Sequence, residues 1–230
     1  MLIIADSRMP LAAKDSLSGL GEVLWLEPQP CVYPAIAAHP DIYLCRHKHQ
    51  LIASPDIPVH WSARIRSAGI ALSFGQQRLG EKYPQTAGYN AVFAGDLLIH
   101  NLKVSDPMLL SLASDTIHVK QAYTRCNLLA LNNTHMITSD RGIEKTLLRH
   151  GKNVLFVEPK QIRLAQHTHG FFGGACGLLG TNLVVCGNIS TLGESEALHD
   201  FAHSCGFTLL SLFDGPLTDV GSMLFFTGGD

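Results

Sequence analysis

Cys176 lies in the run Phe171-Phe172-Gly173-Gly174-Ala175-Cys176-Gly177, with His167 and His169 shortly upstream. A thiolate beside an imidazole is a workable nucleophile, because the ring can take the thiol proton. The small residues around Cys176 let a ligand approach the backbone. The same pattern also suits a small thiol buried at the start of a strand, as free cysteines often are. His199 and His203 stand four apart and share a helix face. Leu198, Phe201, Ala202 and Cys205 make that helix amphipathic, and no third ligand is evident, so a solvated flank is expected and no metal is assigned. His47 and His49 alternate onto one face of an extended segment. Two ligands do not make a metal site, and a hairpin surface is expected there.

The chain around these residues has 230 positions, enough for one large domain or two small ones. A hydrophobic fraction of 46% supplies a core. The formal charge of −2, without a basic block, lacks the electrostatic footprint of a nucleic-acid binder. Apolar runs are strand length, short of a membrane helix, and the opening Met1–Arg8 does not read as a signal peptide. Cys31, Cys45, Cys126, Cys176, Cys186 and Cys205 form no CxxC pair. A reduced, cytoplasmic protein is expected. No GxGxxG follows the first strand, and no cofactor is assigned.

The elements that would position the chemistry are clearest in Asn127–Pro159. It reads as a strand (Asn127–Leu131), a turn at Asn132-Asn133, a strand (His135–Thr138), a helix (Arg141–His150) and a strand (Val154–Val157). The N-terminus nearly repeats its second half, pairing Asp6 with Asp140 and Val23–Pro28 with Val154–Pro159. The order strand, strand, helix, strand recurs over residues 41–73, 90–120, 127–158 and 177–213, with first strands expected at Ile42–Cys45, Ala91–Ala94, Asn127–Leu131 and Leu178–Leu179. A fifth unit joins 222–230, with a strand at Met223–Phe226, to 1–27. Ser105-Asp106-Pro107 is a strong helix start, and Thr191 with Glu194 has capping-box spacing. Asp6, Asp106 and Asp140 are expected to cap helices.

Five ββαβ units closed by both termini resemble the pentein superfamily, a five-bladed α/β propeller with pseudo-fivefold symmetry. The local sequences that carry the likeness are Gly88–Pro107, Arg125–Gly142 and Gly173–Asn188. The resemblance implies a single domain in which the first strands crowd round an axis and the residues before them face a central pocket. Asp41, Asn90, Asn127, His167 and Asp219 become ligand contacts, with Cys176 as nucleophile and His169 as acid/base. It also implies carboxylates that hold a guanidinium by charge-assisted bonds. The superfamily's nucleophile begins the last first strand, where this chain reads Asp219-Val220-Gly221-Ser222 without a cysteine. Two readings follow. One is a Cys-dependent hydrolase or transferase, amidinotransferase-like, acting on a small guanidino or amidino compound. The other is a non-catalytic binder of a small molecule or a macromolecule, as the ribosome-binding translation initiation factor six is on the same scaffold. No signal fixes an oligomeric state.

Overall fold

The computed structural model describes residues 1–227; the last three residues of the fifth expected unit lie outside them. The chain opens with β1 (Leu2–Asp6), α1 (Leu11–Leu20) and β2 (Glu22–Leu26). Next come α2 (Pro40–Tyr43), β3 (Leu44–His47), β4 (Gln50–Ala53), α3 (Val59–Ser67) and β5 (Ala71–Phe74). A third run holds β6 (Val92–Ala94), β7 (Leu97–His100), α4 (Pro107–Leu112) and β8 (Asp115–His118). A fourth holds α5 (Thr124–Asn127), β9 (Leu128–Ala130), β10 (His135–Thr138), α6 (Arg141–Arg149) and β11 (Asn153–Phe156). Last are β12 (Cys176–Leu179), β13 (Asn182–Val185), α7 (Ser195–Ser204), β14 (Thr208–Ser211) and β15 (Leu224–Phe226).

These strands form five sheets of three. In each, the middle strand pairs antiparallel with one neighbour and parallel with the other, and the parallel pair is joined by a helix. One sheet draws on both ends of the chain: β1 pairs with β15, Leu2 opposite Phe226, and with β2. The middle strands β4, β7, β10 and β13 share one burial pattern, three buried residues after a half-buried first. That run of apolar residues is what a strand flanked on both edges and covered by a helix requires.

Each longer helix buries residues four apart against its sheet. They are Ala13 and Leu17 in α1, Trp61 and Ile65 in α3, Ile143 and Leu147 in α6, and Leu198 and Ala202 in α7. Asp140 caps α6 by accepting from Ile143 N at 2.8 Å, and Asp106 caps α4 by accepting from Met108 N at 2.8 Å. Phe225 and Phe226 are core residues, and Asn132 holds the turn before β10 through Thr134 N and His135 N.

Several expectations are corrected. The strands anticipated at Ile42–Cys45 and Asn127–Leu131 begin one or two residues later, because a helical turn precedes each, α2 and α5. Pro40 opens α2, and its carbonyl accepts Leu44 N. Glu194 makes no capping bond; it accepts from Gln161 Nε2 and Glu158 N, while Thr191 Oγ1 donates to Asn188 O. Asp6 does not cap α1, which follows Pro10, but takes two bonds from the Arg8 guanidinium. His47 is buried rather than on a hairpin surface, its Nε2 3.0 Å from Asp96 Oδ1 and its ring against Phe93. His199 and His203 are exposed with stacked rings. No group of three His, Cys, Asp or Glu among the described residues could hold a metal ion. No helix among the described residues is long and apolar enough to cross a membrane.

Candidate functional site

The helical turns before β3 and β9, and the backbone before β12 and β15, bring polar residues from distant parts of the chain together. Asp41 sits in the first turn of α2, fully buried, its N–H on Gly221 O at 3.0 Å. Its Oδ2 accepts from Ser222 Oγ at 2.7 Å, and Ser222 Oγ also lies 3.3 Å from Gly173 O. Gly221 and Ser222 take consecutive left-handed conformations, φ +68° and +71°. A side chain at Gly221 would collide with His39, and a non-glycine residue at positive φ marks a strained position.

Asn90 organises the next part of the cluster. Its Oδ1 accepts from Arg125 N at 2.7 Å and Cys126 N at 3.2 Å. Its Nδ2 faces Asp41 O at 3.2 Å and Cys126 Sγ at 3.1 Å. Asn127, the last residue of α5, donates from Nδ2 to Tyr123 O at 2.8 Å. Asp219 accepts from Gly221 N through Oδ1 and from Phe171 N through Oδ2, both at 3.0 Å. Gly174 leaves the room that Asp219 fills, since a Cβ there would overlap its carboxylate. His39 Nε2 is 3.7 Å from Asp6 Oδ2.

Three buried polar atoms in this set have no hydrogen-bond partner among the described residues: His39 Nδ1, Asp41 Oδ1 and Asn127 Oδ1. Orphans of that kind are uncommon in folded proteins and call for an explanation. The electrostatics match. Burial pushes the Asp219 carboxyl up to about 6; the Asp41 charge adds to the rise, while His39 and the two N–H bonds act against it. Burial, then the charges of Asp41 and Asp219, holds the Cys126 thiol well above its usual range. Burial raises the half-buried Tyr33 hydroxyl, with Asp219 and Asp41 adding to the rise, and that hydroxyl lies 2.9 Å from that of Tyr123, which also bonds Thr86. The Tyr33 ring is 6.4 Å from that of the exposed His167, so the cluster meets the surface there.

The model of one sequence family matches residues 4–224 and so spans almost the whole described chain. The chain belongs to the family of unknown function DUF6873. No curated protein sequence matches it. Among solved structures, this DUF6873 member is similar to DDAH from Pseudomonas aeruginosa complexed with citrulline, at 8% identity and TM-score 0.53, over 91% of each chain. It is also similar to agmatine deiminase from C. jejuni, at 9% identity and TM-score 0.56, over 92% of this chain and 74% of that one. A third is SxtG, an amidinotransferase from Microseira wollei in the saxitoxin biosynthetic pathway, at 12% identity and TM-score 0.52, over 91% and 87%. The likeness is one of fold, that of the pentein superfamily.

Of the residues singled out in the sequence, the DUF6873 chain brings Asp41, Asn90 and Asp219 into one buried cluster; Asn127 is buried next to Cys126 in the chain, and the exposed His167 lies against Tyr33. Cys176 and His169 are not joined by a hydrogen bond. His169 Nδ1 is 3.0 Å from Gly170 O. Cys176 is fully buried with Phe172, Ala175, Leu183 and Val185, and burial keeps its thiol well above its usual range. The residues not anticipated as contacts are Asp6, His39, Tyr33 and Tyr123. The partner of Ser222 is Asp41, 181 residues away.

Proposed function

We propose that the buried cluster binds a small organic cation with a planar, N–H-rich head, a guanidino or amidino compound. The observation that carries this reading is the pair of unpartnered buried acceptors, Asp41 Oδ1 and Asn127 Oδ1. Neither Asp41 nor Asp219 forms an ion pair among the described residues. A guanidinium offers donors in a fixed fork, able to meet a carboxylate and an amide oxygen together. Asp41 and Asn127 are its contacts in this reading; Asp219 supplies charge, Asn90 fixes the floor, and Tyr33 with His167 borders the way in. The five sheets are read here as blades of one ring about a central axis, in a single domain closed by both termini. Two of the solved structures of similar fold, an agmatine deiminase and an amidinotransferase, agree with a guanidino or amidino ligand.

The chemistry that suits the site is a Cys-dependent hydrolase or transferase. The thiol beside the acceptors is Cys126, whereas Cys176, with His169 as its expected base, lies among apolar side chains. Burial is the main cause that keeps Cys126 protonated, and the charges of Asp41 and Asp219 add to it; a bound cation offsets the carboxylate part, which favours the thiolate. One observation favours the alternative, a binder without turnover: Ser222 stands where the superfamily's nucleophile is expected and hydrogen-bonds Asp41. Both readings require the same cation site. A thermal-shift screen of amino acids, agmatine and other guanidino compounds tests it, with saturating ligand raising the apparent melting temperature by about 5 °C. A flat response across the panel contradicts both. Labelling by chloroacetamidine then separates them: selective modification of Cys126 supports covalent chemistry, and uniform slow labelling of all cysteines supports the binder.

A further inference from the structure

Four aromatic rings run from the surface inward to the polar cluster. His167 and Tyr83 are exposed and stand at the outer end. His167 packs on the half-buried Tyr33 with ring centroids 6.4 Å apart, and Tyr83 packs on the half-buried Tyr123 at 5.2 Å. The two inner rings are joined through their hydroxyls, 2.9 Å apart. Only 7% of the chain is aromatic, yet three of its five tyrosines meet here from separate stretches, so the grouping is not a by-product of composition.

The inner end of the run reaches the proposed cation contacts through both tyrosines. Asp219 and Asp41 lie close enough to add to the rise that burial imposes on the Tyr33 hydroxyl. The Tyr123 carbonyl accepts from Asn127 Nδ2, which leaves Asn127 Oδ1 as the unpartnered acceptor. Along the run the tyrosine hydroxyls are engaged by the protein. Tyr123 bonds Thr86 as well as Tyr33, and Tyr83 accepts from Ala122 N at 3.3 Å. These bonds fix the rings, so what the run presents along its length is aromatic surface.

We infer that the ligand of the cluster carries, behind its cationic head, a flat aromatic body that lies against Tyr33 and His167. This rests on the cation-site reading and adds the class of the rest of the molecule, an aryl-substituted guanidine or amidine. The carboxylate and amide oxygens take the head by charge-assisted bonds, and a tyrosine face also favours a delocalised cation beside it. The body is selected separately. Aromatic rings attract one another in offset or edge-on contact beyond what the buried area alone provides, and a saturated ring of the same size fills the space without that gain.

Calorimetric titration of the full chain with benzylguanidine, cyclohexylmethylguanidine and agmatine decides it. The first two carry the same charged head on bodies of similar size, one aromatic and one saturated. Benzylguanidine is expected to bind about fivefold tighter than cyclohexylmethylguanidine, the gain of one aromatic contact. Tyr33→Leu and His167→Ala should each lower that ratio by about twofold or more, whereas Tyr33→Phe, which keeps the ring and drops the hydroxyl, should preserve it. Melting curves report whether the variants are folded, and His167→Ala, at an exposed position, carries the test if Tyr33→Leu does not fold. Equal or tighter binding of the saturated compound, or a ratio that His167→Ala and every folded Tyr33 variant leave unchanged, would overturn the inference. If agmatine binds while the two ring compounds bind equally, the aromatic body alone is refuted; if none of the three binds, the cation site is refuted with it.

Discussion

Ser222 shows how the site is maintained residue by residue. It is fully buried, adopts φ +71°, and spends its hydroxyl on Asp41 Oδ2 and Gly173 O. The left-handed backbone costs a non-glycine residue about 1 kcal/mol, so the hydroxyl contacts must offset it. Ser222→Gly removes both the contacts and the backbone cost; Ser222→Ala removes only the contacts. Urea unfolding should therefore find Ser222→Ala less stable than the parent by about 2 kcal/mol and Ser222→Gly by about 1 kcal/mol. Equal stability of all three would show that the bond to Asp41 contributes nothing. The sequence alone gave no reason to examine this pair, because the partner lies 181 residues away and only the third dimension joins them. Cys176 illustrates the opposite error. A thiol near two histidines in sequence suggested a contact, but the strand pairing of Cys176 with Val185 places it in the core.

At the level of elements, most of the architecture was legible because it rests on local rules. The i, i+4 apolar pairs, the buried middle strands and the Asp106-Pro107 and Asp140 caps each state their purpose within a few residues. What local pattern did not show was the helical turn preceding β3 and β9. Ile42, Tyr43 and Asn127 sit in apolar or β-compatible surroundings, and both turns are only one turn long. Those turns carry Asp41 and Asn127, so the site residues were found while their backbone setting was missed. Asp106 is a further case of an element doing more than its motif suggests. Beyond capping α4, its Oδ2 accepts from Gln76 N at 2.8 Å, Gln77 N at 2.7 Å and the Tyr89 hydroxyl at 2.8 Å, tying the loop after β5 to the residue before Asn90. Asp106→Ala should cost about 3 kcal/mol or more, because several buried donors lose their acceptor at once. Asp140→Ala, a simple cap by comparison, should cost about 1 kcal/mol. Similar losses for the two, measured by denaturant unfolding, would contradict this ranking.

For the molecule as a whole, five sheets of the same pattern place five lead-in segments together, and these gather Asp41 and Asp219 with unpartnered acceptors. This grouping was not readable in the composition, where 17 basic residues balance 19 acidic ones without any block. Asp219 gives this group a pH dependence whose sign can be worked out. With its pKa raised to about 6, it is mostly neutral at pH 5 and mostly ionised at pH 7.5. A guanidinium, charged throughout that range, binds the ionised form better, so affinity rises with pH and binding near pH 6 releases protons.

The most direct test of the cation site is calorimetric titration of agmatine, or of the strongest guanidino compound from the thermal-shift screen, into the parent chain and Asp41→Asn at about pH 7.5 and pH 5. The predicted result is one saturable site at pH 7.5, roughly tenfold weaker at pH 5 as Asp219 takes up its proton, and at least tenfold weaker in Asp41→Asn. Absence of saturable binding, or an affinity that neither pH nor the Asp41 substitution changes, would contradict it.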